Sequence, residues 1–320
     1  MSRLTIGLSL LAAVLFALSG LVGTAALPPG DAMAALIGQG DERVQAIVWE
    51  LRLPRAVAAF AVGAALQGLL QNPLAEPGVL GVSAFSALGA VIAIFFGFAA
   101  VNSFAVPLAA ILGAGVATLL LVFAAMRGAG SVTLLLIGIG ISSFAGALMS
   151  LALNMAPNPY SLADLVNWMM GSVANRSWAD ILLGAPGWVI GAVMVFLAGP
   201  GLRALSFGDE TAASLGADPR RIRLLVIGGT SLLAGASVAT AGTIGFVGIV
   251  APHVIRPFVR HDPQRLLIPS ALLAGIILMA ADIAIRVLPF QQELKLGVAA
   301  ALVGGPVFIW IAARLGRASS

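Results

Sequence analysis

Apolar runs of about twenty residues, each the length an α-helix needs to cross the hydrocarbon core of a bilayer, recur along this chain and leave few folds open to it. Candidate spans lie near 4–27, 55–71, 78–98, 104–126, 131–154, 178–200, 222–241, 243–260, 266–288 and 296–314. Ten-residue segments of alternating polarity, which a membrane β-barrel needs, are not the pattern. With 60% hydrophobic and 9% charged residues, the 320-residue chain carries more apolar side chain than one soluble core hides. The reading is an all-α membrane protein of about ten transmembrane helices, one transmembrane domain over 1–320. Its glycines, as in Gly63-Ala64-Ala65 and Gly242 to Gly248, fit close helix packing in lipid.

Charge placement sets the predicted orientation. With a cytoplasmic N-terminus, Arg3, Arg127, Arg203, Arg220, Arg221, Arg223, Arg256, Arg260, Arg265, Arg314 and Arg317 fall inside. Arg43, Arg52, Arg55, Arg176, Arg286 and Lys295 fall outside, with Trp49, Trp168 and Trp178 near the outer interface. Both termini are then cytoplasmic. The first apolar run follows Arg3 and precedes Thr24, Ala25 and Ala26; its length favours a retained signal-anchor helix over a cleaved signal peptide.

Several chemistries are excluded or left without support. There is no cysteine, which rules out disulfides, thiolate metal sites and cysteine nucleophiles. No metal site is read in the sequence. Lys295 stands between Leu294 and Leu296 as the single lysine, so the Gly-Lys-Ser/Thr core of a phosphate-binding loop is missing. Nucleotide energy, if used, is bound by another subunit. Nucleic-acid binding lacks a basic face interleaved with aromatics. His253 follows Pro252 with no nucleophile at a recognisable spacing, which gives an intramembrane enzyme little to work with. An ion-coupled carrier needs acids or histidines inside the membrane, and Asp282 is the deepest acid. Arg286 lies four residues on, on the same helical face, so the pair reads either as functional or as mutual neutralisation.

Polar segments at 28–54 and 155–177 outside and 201–222 inside exceed simple connections, and three features within or between the spans stand out. Arg203 to Arg223, RALSFGDETAASLGADPRRIR, reads as a short inner-surface helix started by Asp209 and Glu210 and ended near Gly216, presenting Glu210 and Ser214 to a soluble partner. An ordinary positive-inside loop is the plainer alternative. Leu51-Arg52-Leu53-Pro54-Arg55 places two outward-facing arginines at a helix start, against both the macrodipole and the topology rule. Either they receive acidic side chains from outside or they snorkel to lipid phosphates. Gln71 to Gly78, with two prolines, is either an inner gate or a tight turn.

These motifs carry a resemblance. RLPRAVAAFAVGAALQGLLQNPLAEPGVLGVS (52–83), Asn167 to Gly171, Gly208 to Gly216, Gly245 to Arg256 and Gly305 to Trp310 resemble, in order and spacing, the FecCD-type permeases. Those are the transmembrane subunits of ABC importers for ferric siderophores, haem and cobalamin. The resemblance implies the type II importer fold in the bacterial inner membrane. It implies a homodimer with two ATP-binding subunits, which hold ATP and Mg²⁺, and a periplasmic substrate-binding protein. By the same resemblance Arg52, Arg55 and Arg286 receive glutamates of that binding protein, and Asp209, Glu210, Ser214, Leu215 and Gly216 belong to the segment that seats in the ATPase. Asn72, Leu74, Ser131 and Val132 match gate positions. Val132 departs from the small polar residue of the cobalamin importer, and Lys295 replaces a proline in the stretch before the last helix. Ferric siderophore or haem is placed ahead of cobalamin as cargo, with this chain itself neither an enzyme nor a cofactor holder.

Overall fold

The computed structural model describes residues 3–66, 80–260, 262–288 and 293–318, and among these no strand occurs. In chain order the helices are α1 (Arg3–Leu21), α2 (Pro29–Leu36), α3 (Glu42–Ala46), α4 (Leu53–Leu66), α5 (Val82–Phe95), α6 (Phe98–Val101), α7 (Ala105–Met126) and α8 (Ser131–Asn154). There follow α9 (Pro159–Met169), α10 (Trp178–Leu205), α11 (Asp209–Ser214), α12 (Pro219–Ala241), α13 (Val247–Ile255), α14 (Pro263–Val287) and α15 (Leu296–Ala318). A π turn, Ile47–Arg52, joins α3 to α4, and a 3-10 turn, Arg256–Val259, extends α13. Among the described residues α1, α7, α8, α10, α12 and α14 are each long and apolar enough to cross a bilayer. The other expected spans fall on α4, α5, α13 and α15.

Helix starts follow local chemistry. Asn158-Pro159, Asp218-Pro219 and Asp262-Pro263 each put a capping side chain before a proline at the first helical position. The side chain accepts a backbone N–H that has no helical partner, and proline lacks the N–H that would also be orphaned. Ser177 and Asp180 form a reciprocal capping box at the start of α10.

Backbones touch where side chains vanish. A Cβ on Gly191 of α10 would sit 2.5 Å from the Gly229 carbonyl of α12, and one on Gly89 of α5 would sit 2.0 Å from the Ala109 carbonyl of α7. Such contacts are how helices associate in lipid, where there is no hydrophobic drive between them. α12 buries most of its length and forms the centre, while α1, α7, α8 and α10 bury less than a third of theirs. Leu112, Leu119, Leu182 and Leu197 are among the exposed leucines, a surface suited to acyl chains and not to water.

The two ends of the bundle are fixed by polar contacts. At one end Arg203, at the close of α10, pairs with Asp262, which caps α14, and Arg223 of α12 donates to Asp209 of α11 at 2.6 Å. At the other, the Trp178 indole donates to the Trp49 carbonyl and the Trp49 indole to Ala35, both at 2.9 Å, which ties α10 and α2 to the π turn. Arg203 and Arg223 thus lie opposite Trp49 and Trp178, the separation that charge and tryptophan placement predict.

One expected span is broken. A continuous helix near 243–260 is predicted, yet Gly242 to Phe246 are non-helical and α13 begins only at Val247. Gly242 (φ 70°) turns the chain out of α12, and Phe246 (φ 67°) turns it into α13. Hydrogen bonds tie the break to its neighbours: Ser172 N–H donates to the Ala241 carbonyl at 2.7 Å, the Thr243 hydroxyl donates to the Met169 carbonyl, and alongside them Gly297 N–H donates to Gly171 at 3.1 Å. Irregular backbone within a bundle is tolerated only under such protein cover. The glycine-rich composition read as packing is here a junction where α9, α12 and α15 meet.

Candidate functional site

At the tryptophan end Arg52, Arg55 and Arg286 form one cluster that joins the first and last thirds of the chain. Helix α1 ends without a basic residue in its last turn, leaving carbonyls that no helical N–H reaches. Two distant arginines fill that need. Arg52 donates from Nη1 to the Gly20 and Leu21 carbonyls (2.9 and 2.7 Å) and from Nη2 to Ala25 (2.7 Å). Arg286 donates from Nη1 to the carbonyls of Ser19 (3.1 Å) and Val22 (2.8 Å) and from Nη2 to the Ser19 hydroxyl. Cations at a helix C-terminus complement its dipole.

Arg52 therefore does not face outward as its sequence position suggests; it is 4% exposed. The π turn that ends at Arg52 changes the angular step just before α4, so Arg52 turns to α1 while Arg55, three residues on, turns to α14. There Arg55 donates from both Nε and Nη2 to Asp282 Oδ1 at 2.9 and 2.7 Å. Its Nη2 also meets Glu293, ahead of α15.

Asp282 is fully buried and serves two arginines. Its Oδ1 accepts from Arg55, and its Oδ2 lies 2.8 Å from Arg286 Nη2 as an ion pair without the alignment of a hydrogen bond. The predicted i,i+4 contact between Asp282 and Arg286 is present. Three guanidiniums and two carboxylates leave this cluster with one net positive charge.

Sequence reasoning missed two members of this end. Glu293 carried a signal, since it opens the Glu-Leu-Lys-Leu-Gly stretch already marked by Lys295. Arg176, two residues before Trp178, has a buried Nε without a partner, and Asp180 is 3.8 Å away. Burial holds the Arg176 guanidinium below its ordinary pKa, an effect Asp180 only partly offsets.

The opposite end carries the polar island. Residues Asp209–Ser214 form the short helix that the pattern predicts, set between Gly208 (φ 96°) and Gly216 (φ 81°). Its Ala212 is fully buried, whereas Glu210, Ser214, Leu215 and Gly216 are exposed and Leu215 and Phe207 stand out as apolar knobs. Ser214 is exposed, and its hydroxyl donates back to the Thr211 carbonyl at 2.8 Å. Beside the helix, Asp262 is raised by burial, but the Arg265 backbone N–H and the Arg203 guanidinium outweigh that and hold it below the usual carboxylate range.

Of the gate positions, Ser131 opens α8 and Val132 follows it, 72% exposed. Asn72 and Leu74 lie outside the described residues. His253 sits half-buried on α13.

Residues 10–314 match the family model described as the FecCD transport family. The chain belongs to that family. Its FecCD relatives include the vitamin B12 import system permease protein BtuC of Vibrio cholerae, 40% identical over 322 residues, covering 98% of this chain and 93% of that protein. The ABC transporter permease protein YvrB of Bacillus subtilis is 36% identical over 294 residues, covering 88% of this chain and 82% of its own length. Among solved structures, an inward-facing metal-chelate type ABC transporter aligns with a TM-score of 0.86 at 29% identity, over 98% of this chain and 99% of that one. The FecCD chain is thus the multi-pass permease component of an ABC importer of the metal-chelate and vitamin B12 type, with the all-helical fold that type implies.

Proposed function

We propose that this permease imports a cobalt corrinoid, cobalamin, across the bacterial inner membrane. The observation that carries the reading is the 40% identity to a vitamin B12 permease over nearly the whole chain. It reverses the order reached from the sequence, which put ferric siderophore or haem first as the commoner cargo of such permeases although Asn72 to Gly78 and Pro306 to Trp310 resemble the vitamin B12 importer. Those iron chelates stay as the second reading, supported by the fold's likeness to a metal-chelate type transporter.

The 320-residue chain acts as one transmembrane domain and pairs with a second copy. Cargo passes between the copies by alternating access. Two ATP-binding subunits hold ATP and Mg²⁺ and seat against Asp209, Glu210, Ser214, Leu215 and Gly216, where exposed apolar and acidic groups stand on a short helix anchored by Ala212. A periplasmic binding protein presents carboxylates to the end that holds Arg52, Arg55 and Arg286. Asn72, Leu74, Ser131 and Val132 constrict the inner path. Both termini are cytoplasmic, because the more arginine-rich end then faces inward.

The deciding experiment is uptake of labelled cobalamin into ATP-loaded proteoliposomes containing this chain, its ATPase and its binding protein, with ferric siderophore and haem in parallel. ATP-dependent cobalamin accumulation is the expected result. Uptake of an iron chelate without cobalamin overturns it in favour of the second reading, and uptake driven by an ion gradient without ATP overturns the importer mechanism.

A further inference from the structure

Within the arginine cluster the two carboxylates have different surroundings. The Asp282 side chain is 1% exposed and lies on α14, held between Arg55 and Arg286. The Glu293 side chain is 31% exposed, lies outside any helix and, among the described residues, forms its ion pair with Arg55. Removing Asp282 from Arg55 would strand a buried charge, whereas Glu293 can exchange its partner for water.

Arg55 itself is 12% exposed, which makes it the bridge between the buried and open sides of the cluster. Its Nε edge is committed to Asp282 and fixes the plane of the guanidinium. Its Nη2 faces Glu293 as well. Arg52 and Arg286 spend their Nη donors on carbonyls between Ser19 and Ala25 and on the Ser19 hydroxyl, with Arg286 Nη2 also paired to Asp282. An acid arriving from outside therefore meets Arg55 first, at the position Glu293 occupies.

We infer that Glu293 is an internal placeholder on Arg55, which a carboxylate of the docking protein displaces. The exchange is one carboxylate for another on the same guanidinium, with no proton transferred and no bond made or broken beyond the ion pair. While Glu293 is in place the cluster carries one net positive charge; once it swings away the cluster carries two, and the incoming carboxylate is drawn to a stronger field. Asp282 acts as the positioning residue that keeps Arg55 aimed during the exchange. The inference rests on the proposal that a binding protein docks at this end.

The test is the affinity of the binding protein that supports uptake, measured on the permease–ATPase complex in nanodiscs at two salt concentrations. Glu293→Gln, which keeps the side-chain volume and removes the charge, is expected to tighten docking about tenfold at low salt and less at high salt. Arg55→Gln is expected to weaken docking about tenfold or more, and adding Glu293→Gln to it should restore nothing. If Arg55→Gln leaves docking unchanged, the docking site itself is wrong. If Arg55→Gln weakens docking but Glu293→Gln leaves it unchanged or weakens it, docking stands and the placeholder falls. A Glu293→Asp variant, charged but shorter, controls for folding and should dock more tightly than the parent and less tightly than Glu293→Gln; an affinity outside that range counts against the exchange.

Discussion

Asp282 and Arg286 stand one turn apart on α14 with both side chains 1% exposed, and the same aspartate holds Arg55 of α4 from its other oxygen. One buried carboxylate thus fastens two helices whose residues lie 227 positions apart in sequence. Its neighbour Arg286 carries the connection on to α1.

Asp282→Ala should therefore be among the most damaging single changes in the chain. Two buried guanidiniums lose their shared counter-charge, and breaking a buried pair by deleting one partner costs about 3–5 kcal/mol. Thermal unfolding of the purified protein in detergent measures this. A melting temperature equal to the parent's would mean that water already screens the cluster.

A test of the polar island separates fold from docking. Leu215→Ala removes an exposed side chain and should change stability by less than about 0.5 kcal/mol. It should nevertheless weaken ATPase binding about tenfold if Leu215 is an anchor of that interface. Ala212→Glu, at a fully buried position, should instead unseat the helix and lower both stability and binding. Equal ATPase affinity in all three proteins would reduce the island to a connection.

The junction of α9, α12 and α15 makes a third prediction. A Cβ at Gly297 would lie 2.3 Å from the Met170 carbonyl and 2.6 Å from that of Thr243, both backbone atoms that cannot rotate away. Gly297→Ala should cost about 1–3 kcal/mol by overpacking. Gly115→Ala on α7, where a Cβ meets nothing within 4 Å, is the control and should be neutral or slightly stabilising. Unfolding curves that rank the two alike would show that the junction gives way easily.

The sequence announced those features whose cause is local. Apolar length foretold α10 and α14 to within a few residues, four-residue spacing foretold the Asp282–Arg286 pair, and charged residues between two glycines foretold α11. It was silent where the partner is backbone. The carbonyls that hold Arg52 and Arg286 belong to Ser19 through Ala25, and a peptide carbonyl looks the same in every sequence. The break after Gly242 was hidden because glycine between apolar residues serves equally for tight packing and for a turn. Glu293 was passed over because its meaning depends on Arg55, from which it is separated by 238 positions.

The capping of α1 by Arg52 and Arg286 bears on how the molecule is made. As synthesis proceeds, α1 enters the bilayer ahead of α4 and α14, with its terminal carbonyls facing whatever water or lipid headgroup is at hand. Arg52 arrives soon after, but Arg286 is 267 residues further along than Ser19. The first span thus remains unfinished until α14 has been inserted. A chain that stopped before α14 would leave the Ser19 and Val22 carbonyls without the donors that Arg286 supplies, so the last turn of the first helix is completed only when most of the permease has been built.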